Sequence, residues 1–225
     1  MLKSPPSTNH FGPLCVRPPT PTKTAPTVRS FLAFIFFFLV IVATAMPAAA
    51  QRPGSPRGEA STQISEGFGK WIVVDYGRPI LRGRRGIFGV GEEYGVAANS
   101  GAPVWRAGAN ASTTLTSEVD LIFGETTVPA GTHTMFIDLS AEGWTLVISD
   151  HKASAGYPAE DGLWGAYGYT EDKDVVRVPM QVGADVPFAV DQFTILFSDM
   201  TESAGNINFI WDNTMAIASF TLGSF

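Results

Sequence analysis

Phe193-Thr194-Ile195-Leu196-Phe197-Ser198, followed by Asn206-Ile207-Asn208-Phe209-Ile210-Trp211-Asp212, is the stretch that decides the fold. Phe193, Ile195 and Phe197 share one face, with Thr194 and Ser198 opposite. Ile207, Phe209 and Trp211 repeat the pattern against Asn206, Asn208 and Asp212. A period of two belongs to a strand, whose successive side chains point to opposite sides. Two such runs a few residues apart predict neighbouring strands with a common apolar face. Met215–Leu222 continues the pattern to the end of the chain.

Working back from there, Trp71-Ile72-Val73-Val74-Asp75-Tyr76 is β-branched and aromatic and is stopped by Gly77 and Pro79. Trp144–Ile148 reads as another strand, Asp174–Val182 as one alternating strand, and Thr113–Thr116 with Val119–Phe123 as a pair of short strands. In 133–139, Met135, Ile137 and Leu139 do not separate cleanly from Phe136, which predicts a strand partly covered on both faces. Val128-Pro129-Ala130-Gly131 has turn chemistry. Gly83–Gly101 is broken by glycines and reads as loop with short strand pieces. No segment has a convincing helical period. At least eight short strands divided by turn signals predict an all-β chain, a single antiparallel β-sandwich or jelly-roll-like domain over residues 68–225.

The charge is unevenly placed. The whole chain of 225 residues carries −6, yet residues 1–50 hold only Lys3, Arg17, Lys23 and Arg29 and no acid. Taking those four from 15 Lys+Arg leaves 11 against 21 Asp+Glu, so residues 51–225 carry −10. That balance argues against nucleic acid as a partner, because phosphate backbones are held by basic surfaces. The single cysteine, Cys15, precedes the apolar run Phe31–Ala45. Beyond residue 50 there are no thiols, which excludes disulfides, thiolate metal sites and cysteine nucleophiles there.

Residues 1–50 have the layout of a secretory signal with a long basic leader: an uncharged apolar core, then Ala48-Ala49-Ala50 as a small-residue cleavage pattern before Gln51. The expectation is export, to the periplasm or the medium. The alternative is an anchor at residues 31–46, which would be the chain's one contact with a membrane. Residues 51–67, rich in Pro, Gly, Arg and Ser, read as a flexible linker.

The densest polar stretch is Trp105-Arg106-Ala107-Gly108-Ala109-Asn110-Ala111-Ser112-Thr113. Arg106, Asn110 and Thr113, with Arg78, Arg84 and Arg85, are the candidate ligand-binding residues. Arginine presents a planar fork suited to a carboxylate or phosphate. The same arginines can instead pair with Asp75, Glu92, Glu93 and Glu118 and pin loops. Adjacent residues in extended chain face opposite ways, so Trp105 is expected in the core beneath Arg106. Trp164, Tyr167 and Tyr169 offer either a stacking platform for a sugar ring or core packing. Glu160, Asp161, Glu171, Asp172 and Asp174 lack a calcium-loop spacing and read as solvated acidic turns. His133 and His151 lack zinc spacings, and no catalytic residue, metal or cofactor is assigned. Asp150-His151 makes a base and its orienter only where the backbone bends.

Several short motifs occur in order: Tyr76-Gly77-Arg78-Pro79, Ile87-Phe88-Gly89, Trp105-Arg106-x-Gly108-Ala109-Asn110, Pro129-Ala130-Gly131-Thr132, Trp164-Gly165-x-Tyr167-x-Tyr169 and Asp174-Val175-x-Arg177-Val178. As a set they resemble the DUF2911 family of exported bacterial proteins, over roughly Ile64–Phe220. The resemblance implies export and one domain and supplies no reaction. The chain departs from the family pattern at Ala111, where an acidic residue is common, and at His133, where tyrosine is usual. It also has extra residues around Ala97–Ala102.

The function expected is non-enzymatic: binding of a small anionic or carbohydrate ligand, or a structural role. Two alternatives are a hydrolase-like cleft using Arg106, Asn110 and His133, and an envelope interaction module using an exposed strand edge.

Overall fold

A computed structural model describes residues 54–64, 69–183 and 186–223. The signal or anchor segment expected in residues 1–50 lies outside them. Twelve strands occur among the described residues. They are β1 (Arg57–Gln63), β2 (Trp71–Gly77), β3 (Thr113–Ser117), β4 (Leu121–Phe123), β5 (Thr126–Val128) and β6 (Gly131–Leu139). Then follow β7 (Trp144–Ser149), β8 (Asp174–Pro179), β9 (Gln181–Gly183), β10 (Val190–Ser198), β11 (Ala204–Asp212) and β12 (Thr214–Leu222). One sheet runs β1-β2-β3-β6-β7-β8 and the other β10-β11-β12-β4-β5, with β9 also paired to β12. Neighbouring strands are antiparallel throughout. The chain is therefore an all-β sandwich. No helix among the described residues is long and apolar enough to cross a membrane.

The alternation at 193–211 sets the core. Phe193, Ile195, Ile207, Phe209 and Trp211 are all buried between the sheets, and Phe197 packs against them. β10 and β11 pair directly, with Ile195 opposite Phe209 and Phe197 opposite Ile207. The polar face is less open than its composition suggests. Asn208 is itself buried and donates from Nδ2 to Ser198 Oγ at 2.9 Å. An aromatic group fills the centre of the sandwich: Phe88 stands edge-on to Trp105, Trp144 and Trp211, and Trp105 stacks on Trp211 at 6.0 Å. Trp105 thus lies inward as expected, held by an antiparallel bridge to Ile137.

Four readings of the sequence are corrected. Thr113–Ser117 and Leu121–Phe123 do not pair with each other; β3 lies in the first sheet and β4 in the second. Between them the Ser117 hydroxyl bonds both the carbonyl and the amide of Val119, a local turn that carries the chain across. Asp174–Val182 is two strands in different sheets. It breaks where Met180 turns into the core and its N–H bonds the Trp144 carbonyl. Gly83–Gly101 holds a 3-10 turn, Gly91–Glu93, and one helical turn α1 (Val96–Asn99) in place of strand pieces. Lastly, part of the expected linker is structured. β1 pairs with β2 over seven residues, from Arg57 opposite Gly77 to Gln63 opposite Trp71. Its outward residues are polar, and only Ala60 on its inner side reaches the core, which is why its pattern resembles linker.

The coverage of β6 on both sides has a specific form. Met135 and Ile137 face the main core, while Phe136 and Val147 join a second cluster with Val104, Leu163, Ala166 and Tyr169. Those last three residues come from the long connection 150–173. The connection is therefore fastened over the outer face of the first sheet by a small core of its own, and the candidate site is built on that layer.

Candidate functional site

Backbone contacts first bring two loops together. The turn 107–110 runs against the end of β2 so closely that a Cβ on Gly77 would collide with the Ala109 backbone, so Gly77 permits the approach. Within that turn Ala107 and Asn110 adopt left-handed φ of 46° and 64°. Asparagine tolerates that conformation better than most residues. The Asn110 amide donates to the Ser55 carbonyl at 3.1 Å, and Thr113 Oγ1, fully buried, donates to the Ala107 carbonyl at 2.9 Å. Ser112 Oγ bridges to the second loop, bonding the carbonyls of Leu163 and Gly165 at 2.9 and 2.7 Å. These bonds fix Trp164 and Tyr167 beside Arg106.

Arg106 projects into the space so formed. It is 7% exposed, and its Nη1 donates to the Asn110 carbonyl at 2.9 Å. Its guanidinium lies over the Tyr167 ring, 5.0 Å from the centroid, a cation–π distance. On another side it rests on Gly165, whose φ is +68° and where a Cβ would come within 2.5 Å of Nη1. No carboxylate pairs with Arg106 among the described residues. A cleft of about 500 Å3 opens at this point, lined by Arg106, Asn110, Tyr157, Ala159, Trp164 and Tyr167. The rings of Tyr157 and Trp164 stand 6.1 Å apart and tilted by 53°, so neither covers the other's face.

The remaining candidate arginines are held elsewhere by groups of the fold. Arg78 lies across Gly58 of β1 and reaches the Phe193 carbonyl and Thr194 Oγ1, both at 3.5 Å. Arg84 donates to the carbonyls of Leu81 and Ile80 at 3.0 Å. Arg85 pairs with Asp212 at 3.2 Å, and Asp212 also accepts the Gly86 N–H at 2.9 Å. The structure thus brings Arg106 and Asn110 into one cleft, sets Thr113 beneath them as a buried tie, and gives Arg78, Arg84 and Arg85 loop-pinning partners.

His133 sits apart from the cleft lining. Its Nδ1 faces Asp150 Oδ1 and its Nε2 faces the Pro129 carbonyl, both at 2.9 Å. Both ring nitrogens meet acceptors, so neither has a lone pair directed at a substrate. Asp150 therefore partners His133, not His151, whose Nε2 lies 3.0–3.4 Å from Thr170 atoms. The acidic residues of 171–174 also divide. The Asp174 side chain is 7% exposed and takes the Tyr169 hydroxyl at 2.5 Å and Arg177 Nη1 at 3.0 Å. Arg177 also pairs with Asp138. Burial, then the hydrogen bond to Asp174 and its charge, push the Tyr169 phenol well above its ordinary range. This network closes the 150–173 connection onto β6 and β8. No group of three or more metal-ligating side chains occurs among the described residues.

Sequence reasoning passed over Tyr157 and gave Gly165 no part in the site. Tyr157 sits in a Gly-Tyr-Pro loop without periodicity, and the one available signal was that its aromatic neighbours at 164 and 167 are also spaced by glycine. A second hollow, about 440 Å3 and lined in part by Asp199, Asn206 and Ser219, lies on the other sheet. Its polar groups satisfy one another, with Asn206 Nδ2 and Ser198 Oγ both donating to Asp199.

No curated protein and no solved structure matches this chain. A family model described as "Protein of unknown function (DUF2911)" matches residues 55–220, a span that takes in β1 as well as both loops of the cleft. The chain belongs to the DUF2911 family.

Proposed function

We propose that this protein is an exported binding module that holds a small anionic or sugar-like ligand in the Arg106 cleft and performs no chemistry on it. The observation that carries the reading is Arg106 itself. Arg106 as a residue is more than nine-tenths buried, and an arginine so enclosed ordinarily has a carboxylate partner, because drawing a charge away from water without one is costly. Here its surroundings are one carbonyl, one aromatic face and an open cleft. A ligand anion completes that set. Binding is favoured over catalysis by what lines the cleft: donors and stacking rings, with no histidine, carboxylate or serine beside the arginine. The nitrogens of His133 are occupied elsewhere, which removes the base that a hydrolase-like cleft would use. Export rests on the residues before Gln51.

The test is a thermal-shift screen of the protein against sugars and small anions, repeated with Arg106→Lys. Hits are expected to raise the melting temperature of the native protein and to have little effect on the variant. Lysine keeps the charge and loses the planar fork. If hits shift both proteins equally, or no compound shifts either, the cleft is not the binding site.

A further inference from the structure

We infer that the ligand of this cleft is a hexuronic acid joined to a neutral sugar, with its carboxylate on Arg106 and its ring against Tyr157 and Trp164. The inference rests on the binding reading above and specifies the ligand. Three observations narrow it. First, the cleft contains one cation. Its other lining residues are Asn110, Tyr157, Ala159, Trp164 and Tyr167, and no helix of useful length begins there; α1 has only four residues. Phosphate, with close to two charges, is usually met by several cations or a row of backbone N–H groups. A single planar fork instead matches a single carboxylate. Nη1 is already tied to the Asn110 carbonyl, while Nε and Nη2 have no bonded partner among the described residues.

Second, one face of the Tyr167 ring is taken by the guanidinium, which leaves Tyr157 and Trp164 as the available walls. Tyr157 is 76% exposed. Trp164 is half-buried, and amphipathic rings set at an angle suit a ring that is apolar on one face and hydroxylated at its rim. The Asn110 side chain stands exposed at the edge, with its amide nitrogen bonded to Ser55, and supplies Oδ1 as an acceptor for a hydroxyl.

Third, Tyr157 is shared with an adjoining hollow of about 540 Å3, lined also by Lys152, Ser154, Glu160 and Asp161. A ligand that crosses Tyr157 therefore enters a polar space. Lys152 pairs with Asp161 there, and Glu160 adds a further negative charge. That space accommodates hydroxyls and disfavours a second carboxylate. A uronic acid followed by a neutral sugar uses both hollows, whereas a polyuronate would bring a second carboxylate to Glu160 and an aromatic acid would leave the second hollow unused.

The test is calorimetric titration of the full protein with five probes: glucuronate, cellobiouronic acid, cellobiose, benzoate and inorganic phosphate. Cellobiouronic acid is expected to bind at least tenfold more tightly than glucuronate, and both well above the other three. Tyr157→Ala, at a position exposed enough to leave the fold intact, is expected to weaken cellobiouronic acid at least tenfold. Asn110→Gly keeps the left-handed turn and is expected to weaken it less. Arg106→Lys is expected to abolish it. Benzoate or phosphate binding as well as glucuronate overturns the assignment while leaving the cleft as the site. Equal affinities for glucuronate and cellobiouronic acid overturn the extension across Tyr157. If Arg106→Lys fails to fold, Tyr157→Ala decides: unchanged affinity overturns the proposal. No binding of any probe overturns it too, and the broader binding reading then stands or falls on the thermal-shift screen.

Discussion

At the scale of single residues, what distinguishes the arginines is the partner each finds. Arg85 meets Asp212, and Arg177 meets Asp138 and Asp174, whereas Arg106 meets a carbonyl, a ring and open space. Tyr169 shows the opposite situation, a group whose every polar contact is internal. Its hydroxyl donates to Asp174 and accepts from Arg177 Nη1 at 3.0 Å. Its folded pKa is raised above the value near 10 of an exposed tyrosine, so the fold favours the neutral phenol. That contribution to stability is fully present below about pH 10 and is lost as the pH climbs towards the folded value. Denaturant melts between pH 8 and 11 are therefore expected to show stability falling above about pH 10. Tyr169→Phe should flatten that fall and lower stability at pH 8 by about 1–3 kcal/mol, since Asp174 loses a donor while its other oxygen already has none. A fall of the same steepness in the variant would assign the alkaline transition to other groups.

At the scale of elements, the pair β10–β11 carries the centre of the sandwich. Phe209 is 1% exposed and Asn208 3%, so exposure does not distinguish the two faces of β11. What differs is the loss on truncation. Phe209→Ala removes a large apolar side chain and leaves a cavity, at a cost of about 3–5 kcal/mol. Asn208→Ala removes hydrogen bonds to Ser198 and the Leu196 carbonyl, each worth about 0.5–1.5 kcal/mol. Urea melts of the two variants should therefore separate clearly, and equal losses would show that the face assignment is wrong. β1 shows how an element can lack a sequence signature. Its inner face offers only small side chains, of which Ala60 packs on the core, and it is held mainly by the ladder with β2.

At the scale of the whole molecule, residues 51–225 carry a net −10, which makes copies of the protein repel one another. β1 starts at Arg57, so cleavage after Ala50 would leave it whole. Amino-terminal sequencing of the exported protein is expected to read from Gln51 or within a residue or two of it. A product that keeps residues 1–30 and stays with the membrane would establish the anchor in its place.

The sequence by itself determined the class of fold, because strand periodicity is local: Phe193, Ile195, Ile207, Phe209 and Trp211 share a core whatever else surrounds them. It also placed Trp105 in the core, since neighbours in extended chain diverge, but it turned Arg106 to solvent, where the structure encloses it. Arg106 and Asn110 were legible as a polar pair from their closeness along the chain. Only the tertiary structure decided which sheet each short strand joined, as with Thr113–Ser117 and Leu121–Phe123, because pairing depends on where a turn sends the chain. Only it separated Arg106 from Arg78 and Arg85, whose partners at Phe193 and Asp212 lie 115 and 127 residues away in sequence, and from Arg84, which folds back on the carbonyls of Leu81 and Ile80. Tyr157 and Trp164 reached Arg106 through the second small core around Phe136, which joins Val104 to Leu163 and Ala166 across a wide gap in sequence, and nothing local to either loop specifies it.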